Sequence, residues 1–139
     1  KAYGLAGLRI GYGLAAPQVA AILQKARQPF NTNEVAQRAA LASLADTAHV
    51  ENTVSNNSDG LAFYEAAFQE RGMNYVPSVA NFILVEVGDG DKVFAAMLKQ
   101  GVIVRAMRGY KLPGWLRISV GTPEENARCL EVLDQVLAQ

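Results

Sequence analysis

The second half of the chain alternates between stretches with the period of a strand and stretches with the period of a helix. Residues 81–87 are rich in β-branched and apolar side chains, which predicts a strand covered on at least one face. A Gly-Asp-Gly-Asp turn leads into a predicted helix over residues 92–100, which ends at Gly101. Residues 102–105 and 115–120 each predict a further strand. A final helix begins after Thr122, since proline and glutamates follow that N-cap residue as in a capping box.

These elements describe one small domain. The order β, α, β, β, α over residues 74–139 predicts a two-layer α/β fold, with helices packed on one face of a short sheet.

The first half of the chain has mainly helical periodicity. A helix is predicted from Pro17 to Pro29, with a buried stripe formed by Val19, Ile22, Leu23 and Ala26. Asparagine and threonine at 31–33 offer an N-cap for an alanine-rich helix over residues 35–48. Residues 49–71 keep a helical period, although the polar and glycine residues at 56–60 weaken it. One long helix is the favoured interpretation and two helices with a break are the alternative, with Gly72 as a C-cap.

The first residues read as a glycine-rich loop that runs into a short strand over residues 8–13. No element before this loop could hold it, so residues 1–30 are interpreted as the end of another, larger domain. Residues 31–73 then form linking helices, and residues 74–139 form the small C-terminal domain.

Composition narrows the possible functions. The 139 residues are half hydrophobic, and thirteen Lys and Arg balance thirteen Asp and Glu, so net charge gives no sign of a nucleic-acid or membrane partner. No apolar run approaches the roughly 20 residues that cross a bilayer. Cys129 is the only cysteine and His49 the only histidine, which leaves no disulfide framework and supports neither a metal site nor a Ser-His-Asp triad. A reducing, cytoplasmic location is the expectation.

Lys1 and Arg9 enclose the glycine-rich loop and are the first candidates for chemistry. A lysine that forms an imine and an arginine that holds a phosphate would suit a phosphorylated carbonyl compound. The alternative is a solvated loop with an incidental arginine. The spacing fits neither a Walker A loop nor a complete dinucleotide-binding fingerprint.

Between Lys92 and Pro123 all the charged side chains are basic. No Asp or Glu occurs between Lys92 and Pro123, whereas six basic residues do, and this pattern suggests an anionic ligand. Arg117 lies inside a predicted apolar strand, where a charge requires a partner: either an Asp or Glu of the same fold or a ligand. Arg105 ends another predicted strand and is the candidate for a second anion. A solvated basic face remains the simpler explanation for the lysines of this run.

Several ordered segments resemble a known family. The opening Lys-Ala-Tyr-Gly-Leu-Ala-Gly-Leu-Arg-Ile-Gly-Tyr is similar to the signature of fold-type-I aminotransferases that depend on pyridoxal phosphate. Residues 27–33, 77–82, 101–105 and 109–126 are similar to segments of histidinol-phosphate aminotransferases within that family.

The resemblance implies a role for each candidate residue. Lys1 matches the lysine that carries pyridoxal phosphate, and Arg9 matches the arginine that binds its phosphate. Arg117 matches the arginine that grips the substrate α-carboxylate, and Arg105 matches one near the far end of the substrate. The implied protein is a homodimer that acts on small amino and keto substrates, namely histidinol phosphate and 2-oxoglutarate in histidine biosynthesis.

Alternatives remain open at this stage. An aromatic amino-acid aminotransferase, or a decarboxylase or lyase of the same fold, would use the same lysine and arginine. The family residues that pair with the cofactor nitrogen and stack on its ring lie earlier than Lys1 in the family, so they have no counterpart here. The sequence is therefore expected to be the later part of a longer enzyme and inactive alone. A free-standing, non-catalytic α/β module is the alternative from another class.

Overall fold

The computed structural model describes residues 2–138 and has a mixed α/β architecture. In chain order the elements are a 3₁₀ helix Leu5–Leu8, α1 Pro17–Ala26, α2 Glu34–Ala45, α3 Thr47–Glu70, β1 Tyr75–Val76, β2 Phe82–Glu86, α4 Gly90–Lys99, β3 Arg105–Ala106, a 3₁₀ turn Arg108–Tyr110, β4 Trp115–Ser119 and α5 Pro123–Leu137. The chain divides into two compact units between Val54 and Ser55. This division falls inside α3.

The second unit contains a four-stranded sheet in the order β1-β2-β4-β3, with every neighbouring pair antiparallel. Because side chains alternate along a strand, one face of the sheet carries the buried residues Ile83, Val85, Leu116 and Ile118. These pack with buried apolar side chains of α3, α4 and α5 in a single core cluster. The predicted two-layer arrangement is confirmed, and β1 is an additional short strand.

Helix boundaries in the chain follow local signals. Asn33 caps α2 by accepting from the backbone N–H of Ala36 at 2.8 Å. Thr122 and Glu125 form the predicted capping box of α5. Gly72 has the positive φ of 63° that a residue after a helix C-terminus commonly adopts.

The favoured interpretation of residues 49–71 as one helix is confirmed, since α3 runs without a break through its polar middle. That polar stretch serves tertiary contacts. The Asn56 side chain donates to the Gly121 carbonyl at 2.9 Å, and the Asn57 side chain donates to the Ala80 carbonyl at 3.1 Å. At Gly60 a side chain would collide with Val120, so close packing requires glycine there.

Two expectations about the first half are wrong. Residues 8–13 do not form a strand: Leu8 ends a 3₁₀ helix, Arg9 has a left-handed φ of 55°, and the following residues have no regular structure. Every strand that the structure describes lies between Tyr75 and Ser119, so this segment has no strand with which to pair. Helix α1 forms as predicted, but its stripe is not buried, with exposed fractions of 49% for Val19 and 67% for Ile22. The periodicity predicts a helix with an apolar face, whereas burial also requires an element that covers this face.

The strand predicted at residues 102–105 is shorter and shifted. After α4, Gly101 takes a φ of 80° and the Val102 N–H donates to the Met97 carbonyl, which keeps this segment attached to the helix. Pairing with β4 begins only at Arg105, which therefore starts β3 instead of ending a strand.

Candidate functional site

Two arginines predicted to bind anions lie side by side on the sheet. In the β3–β4 pair Arg105 is the direct partner of Arg117, so both side chains leave the same face, opposite to the buried face. Like charges at directly opposed positions of a sheet are destabilising. The arrangement therefore favours a bound anion, which would offset this repulsion.

Arg117 is the more enclosed member of the pair. Its side chain is half-buried, and its Cζ lies 4.9 Å from the centroid of the Phe82 ring, a distance typical of a cation–π contact. Its Nε is buried and has no hydrogen-bond partner in the described part of the chain. The ion pair with an Asp or Glu considered for Arg117 does not occur among residues 2–138. A buried, unpaired arginine N–H is a donor suited to a carboxylate or phosphate ligand.

Arg105 lies at the exposed edge of the same sheet. Its Cζ lies 5.3 Å from the centroid of the Tyr110 ring, in the turn between β3 and β4. The two guanidinium groups thus each rest against an aromatic ring, Phe82 for Arg117 and Tyr110 for Arg105.

The other basic residues of the run are placed differently. Arg108 pairs with Asp91, which raises the pKa of Arg108 and neutralises its charge locally. Lys92, Lys99 and Lys111 are exposed, as expected for a solvated face. Of the six basic residues of the run, Arg105 and Arg117 are therefore the two that lie on the open face of the sheet without an ion pair among the described residues.

Arg9 belongs to the first unit and is considered there by itself. It lines an open cleft of about 900 Å³ between the N-terminal turn and α2, together with Tyr3 and Tyr12. Among the described residues its guanidinium makes one hydrogen bond, from Nη1 to the Ala6 carbonyl at 2.8 Å. The hydrogen bond between Tyr3 and Tyr12 raises the pKa of Tyr3. Lys1 lies outside the described residues.

The donor chemistry of Arg9 fits the phosphate end of the cofactor that the resemblance implies. An exposed guanidinium with further N–H groups beside a cleft can bind phosphate through two parallel hydrogen bonds. The first unit thus contains a group able to hold the phosphate.

The aromatic partners of the arginine pair were missed by reasoning from the sequence. Phe82 and Tyr110 lie in segments that carry the family resemblance, but neither was assigned a role. The only local signal for a role of Tyr110 is that it follows Arg105 by five positions. This spacing does not by itself predict that the two side chains are in contact. Among the described residues no three His, Cys, Asp or Glu side chains group as a metal site would, and no helix has the length and apolarity to span a membrane.

Comparisons with known proteins agree with the resemblance seen in the sequence. The family model described as "Aminotransferase class I and II" matches residues 1–133. The histidinol-phosphate aminotransferase of Akkermansia muciniphila is 61% identical over 137 residues, which cover 99% of this chain and 38% of that protein. Histidinol-phosphate aminotransferase 2 of Ralstonia nicotianae is 54% identical over 143 residues, again with 38% of that protein covered.

Solved structures show the same likeness in three dimensions. The crystal structure of histidinol-phosphate aminotransferase from Sinorhizobium meliloti, in complex with pyridoxal-5'-phosphate, superimposes with a TM-score of 0.83 at 29% identity. The match covers 99% of this chain and 39% of that one. The chain thus spans about 38% of the length of the curated relatives that it matches.

Proposed function

Because the chain belongs to the family of class I and class II aminotransferases, we propose that the whole protein containing it moves an amino group from histidinol phosphate to 2-oxoglutarate. The substrate class rests on the 61% identity with a histidinol-phosphate aminotransferase over nearly the whole chain. The structural observation that carries the proposal is the opposed pair of Arg105 and Arg117, since both substrates bear anionic groups.

The two arginines divide the recognition of substrate. Arg117, with its buried unpaired Nε, binds the α-carboxylate of glutamate and 2-oxoglutarate. Arg105, exposed at the edge of the sheet, binds the anion at the other end of the substrate: the phosphate of histidinol phosphate or the second carboxylate of 2-oxoglutarate. Histidinol phosphate has no α-carboxylate, so Arg117 faces ligands of two kinds.

We propose pyridoxal phosphate as the cofactor, with Lys1 and Arg9 as the residues of this chain that hold it. The cofactor supplies a ring that withdraws electrons from the substrate Cα. Arg9, at the edge of its cleft, would bind and orient the phosphate. Lys1 would hold the cofactor covalently through Nζ and would hold or move a proton at the substrate Cα.

Three further features belong to this proposal. Residues 1–30 are the end of the large cofactor-binding domain, residues 31–73 link the domains, and residues 74–139 form the small domain. The whole protein is a homodimer with its active sites near the subunit interface. It works in the cytoplasm, which agrees with a single cysteine that is buried in the core.

The proposal is tested by assaying the whole protein with histidinol phosphate and 2-oxoglutarate and measuring glutamate formation. Replacement of Arg117 or Arg105 by leucine removes a charge-assisted hydrogen bond, so kcat/KM should fall by about tenfold to a hundredfold. Arg105→Lys keeps the charge but loses the planar fork, and it should recover only part of the loss.

A matched control separates local recognition from a general charge effect. Lys99→Leu removes an exposed cation of α4 and should leave kcat/KM within about twofold of the original value. In a parallel assay with an α-amino acid, release of carbon dioxide without formation of a keto acid would instead identify a decarboxylase. Equal losses in the Lys99 and Arg105 variants would show that the arginine pair does not recognise the substrate.

A further inference from the structure

Tyr110 lies in the turn between β3 and β4, where several hydrogen bonds hold the backbone. The N–H groups of Tyr110 and Leu112 both donate to the Met107 carbonyl, at 2.9 and 3.3 Å. The Met107 N–H donates to the Trp115 carbonyl at 3.1 Å, and the Trp115 N–H donates to the Leu112 carbonyl at 3.2 Å. These bonds close the turn at both ends, so the backbone that carries the tyrosine has little freedom.

The same turn is attached to α4. Arg108 pairs with Asp91 in the first turn of that helix, and the Gly90 N–H donates to the Pro113 carbonyl at 2.9 Å. A Cβ at Gly90 would lie 2.6 Å from the Trp115 carbonyl oxygen, so the helix start and the turn are in direct backbone contact. The ring of Tyr110 is therefore carried by two elements that hold each other in place.

Arg105 itself has few restraints. It is exposed on the edge strand of the sheet, has no ion pair among the described residues, and faces the like charge of Arg117 across the strand pair. A long side chain in that position loses rotamer freedom when it binds a ligand, and this loss weakens binding. The side-chain contact recorded for Arg105 is with the Tyr110 ring, whose centroid lies 5.3 Å from the guanidinium carbon.

We propose that Tyr110 is a positioning residue that holds the Arg105 guanidinium ready for the second anionic group of the substrate. This inference rests on the function proposed above and adds a residue to its substrate recognition. When a guanidinium lies over a ring, the N–H groups at the edge of the guanidinium plane can still donate hydrogen bonds to a phosphate monoester or a carboxylate. The tyrosine touches the arginine and acts through it.

The first experiment measures anion binding directly. Inorganic phosphate is titrated into the chain while the Nε–Hε resonance of Arg105 is followed by NMR, for the original chain and for Tyr110→Phe and Tyr110→Leu. The leucine variant should bind phosphate about two- to fivefold more weakly, the change expected when an exposed cation–π contact is lost. The phenylalanine variant keeps the ring and should bind within about 1.5-fold of the original chain.

The ring also leaves a spectroscopic signature that a general structural role would not produce. The Arg105 Hε resonance should be displaced by the ring current in the original chain and in Tyr110→Phe, and the displacement should vanish in Tyr110→Leu. Equal weakening in the phenylalanine and leucine variants would overturn the proposal, because it would assign the effect to the hydroxyl. Unchanged phosphate affinity in Tyr110→Leu would overturn it as well.

Kinetics of the whole protein distinguish this inference from the proposed function. Tyr110→Leu should raise KM for histidinol phosphate about two- to fivefold with kcat unchanged. In the Arg105→Leu background the same change should have no further effect, because the tyrosine then has no guanidinium to hold. If Arg105→Leu raises KM and Tyr110→Leu does not, only the inference fails. If Arg105→Leu leaves KM and phosphate affinity unchanged, the proposed substrate site fails and the inference with it.

Discussion

Replacing Asn126 with alanine should destabilise the second unit by about 2–4 kcal/mol. This side chain is 3% exposed in α5, and its amide group joins that helix to α3 and to the loop after β4. Its Oδ1 accepts from the Tyr64 hydroxyl at 3.2 Å and from the Gly121 N–H at 2.8 Å. Its Nδ2 donates to the Gly121 carbonyl at 3.3 Å. The alanine variant would lose these bonds together.

The size of this destabilisation follows from the polar groups that the substitution leaves without a hydrogen-bond partner. A buried donor without an acceptor costs about 1–3 kcal/mol, and this range applies to the Tyr64 hydroxyl because that residue is 1% exposed. Gly121 is only half-buried, so water can reach its N–H and the cost there is close to the lower limit, ~1 kcal/mol. The sum is a large fraction of the roughly 5–15 kcal/mol that stabilises a typical domain.

Urea unfolding of the chain and three variants measures this directly. Tyr64→Phe alone should cost about 0.5–1.5 kcal/mol, because the ring remains packed and the amide keeps its bonds to Gly121. Asn126→Ala should then cost about 1–3 kcal/mol less in the Tyr64→Phe background than in the original chain, because no hydroxyl is left unsatisfied. Burial raises the pKa of Tyr64, so the hydroxyl remains a donor at neutral pH.

The double-mutant cycle can refute this reasoning. If Asn126→Ala costs the same in both backgrounds, the unsatisfied hydroxyl is not the source of the loss.

Three further predictions concern stability and can be measured by the same unfolding experiment. Thr122→Ala should cost about 1 kcal/mol by removing the N-cap of α5, whereas Thr122→Ser should restore most of it; equal losses would exclude the cap as the cause. Arg71 bonds to Asp134 through two parallel contacts of 2.8 Å and lowers the pKa of that carboxyl. At pH values above the ordinary aspartate pKa, the pair therefore stabilises the fold by ~0.2–1 kcal/mol, and this contribution is lost as the pH falls through the lowered pKa of Asp134. The difference in free energy of unfolding between the original chain and Asp134→Asn should therefore be smaller at about pH 3 than at about pH 7. Gly60→Ala should destabilise by about 1–3 kcal/mol through collision with Val120, although alanine favours a helix more than glycine does; a stabilised variant would contradict this packing.

Much of the second unit was predictable because its signals are local. The capping box of α5 and the positive φ at Gly72 depend on residues within a few positions of one another. Strands β2 and β4 were identified at nearly their observed bounds, since each combines apolar side chains with clear turn signals on both sides.

The errors in the first half have a different origin. The two wrong predictions are the strand at residues 8–13 and the buried stripe on α1. Each requires a second element to pair with or to cover it, and the periodicity of one segment does not show whether such an element is present. Among the described residues no strand pairs with the first segment, and Val19 and Ile22 remain exposed.

Local patterns of residues were sufficient to predict the family, the helices and the two arginines as candidates for anion binding. The pairing of the strands adds what those patterns did not predict: Arg105 and Arg117 are directly opposed on one face, and Phe82 and Tyr110 lie against them. The physical reason is register: a slip of one residue between β3 and β4 would send the two side chains to opposite faces of the sheet. That register depends on the turn between the strands and on its attachment to α4 through Gly90, contacts that join residues distant along the chain.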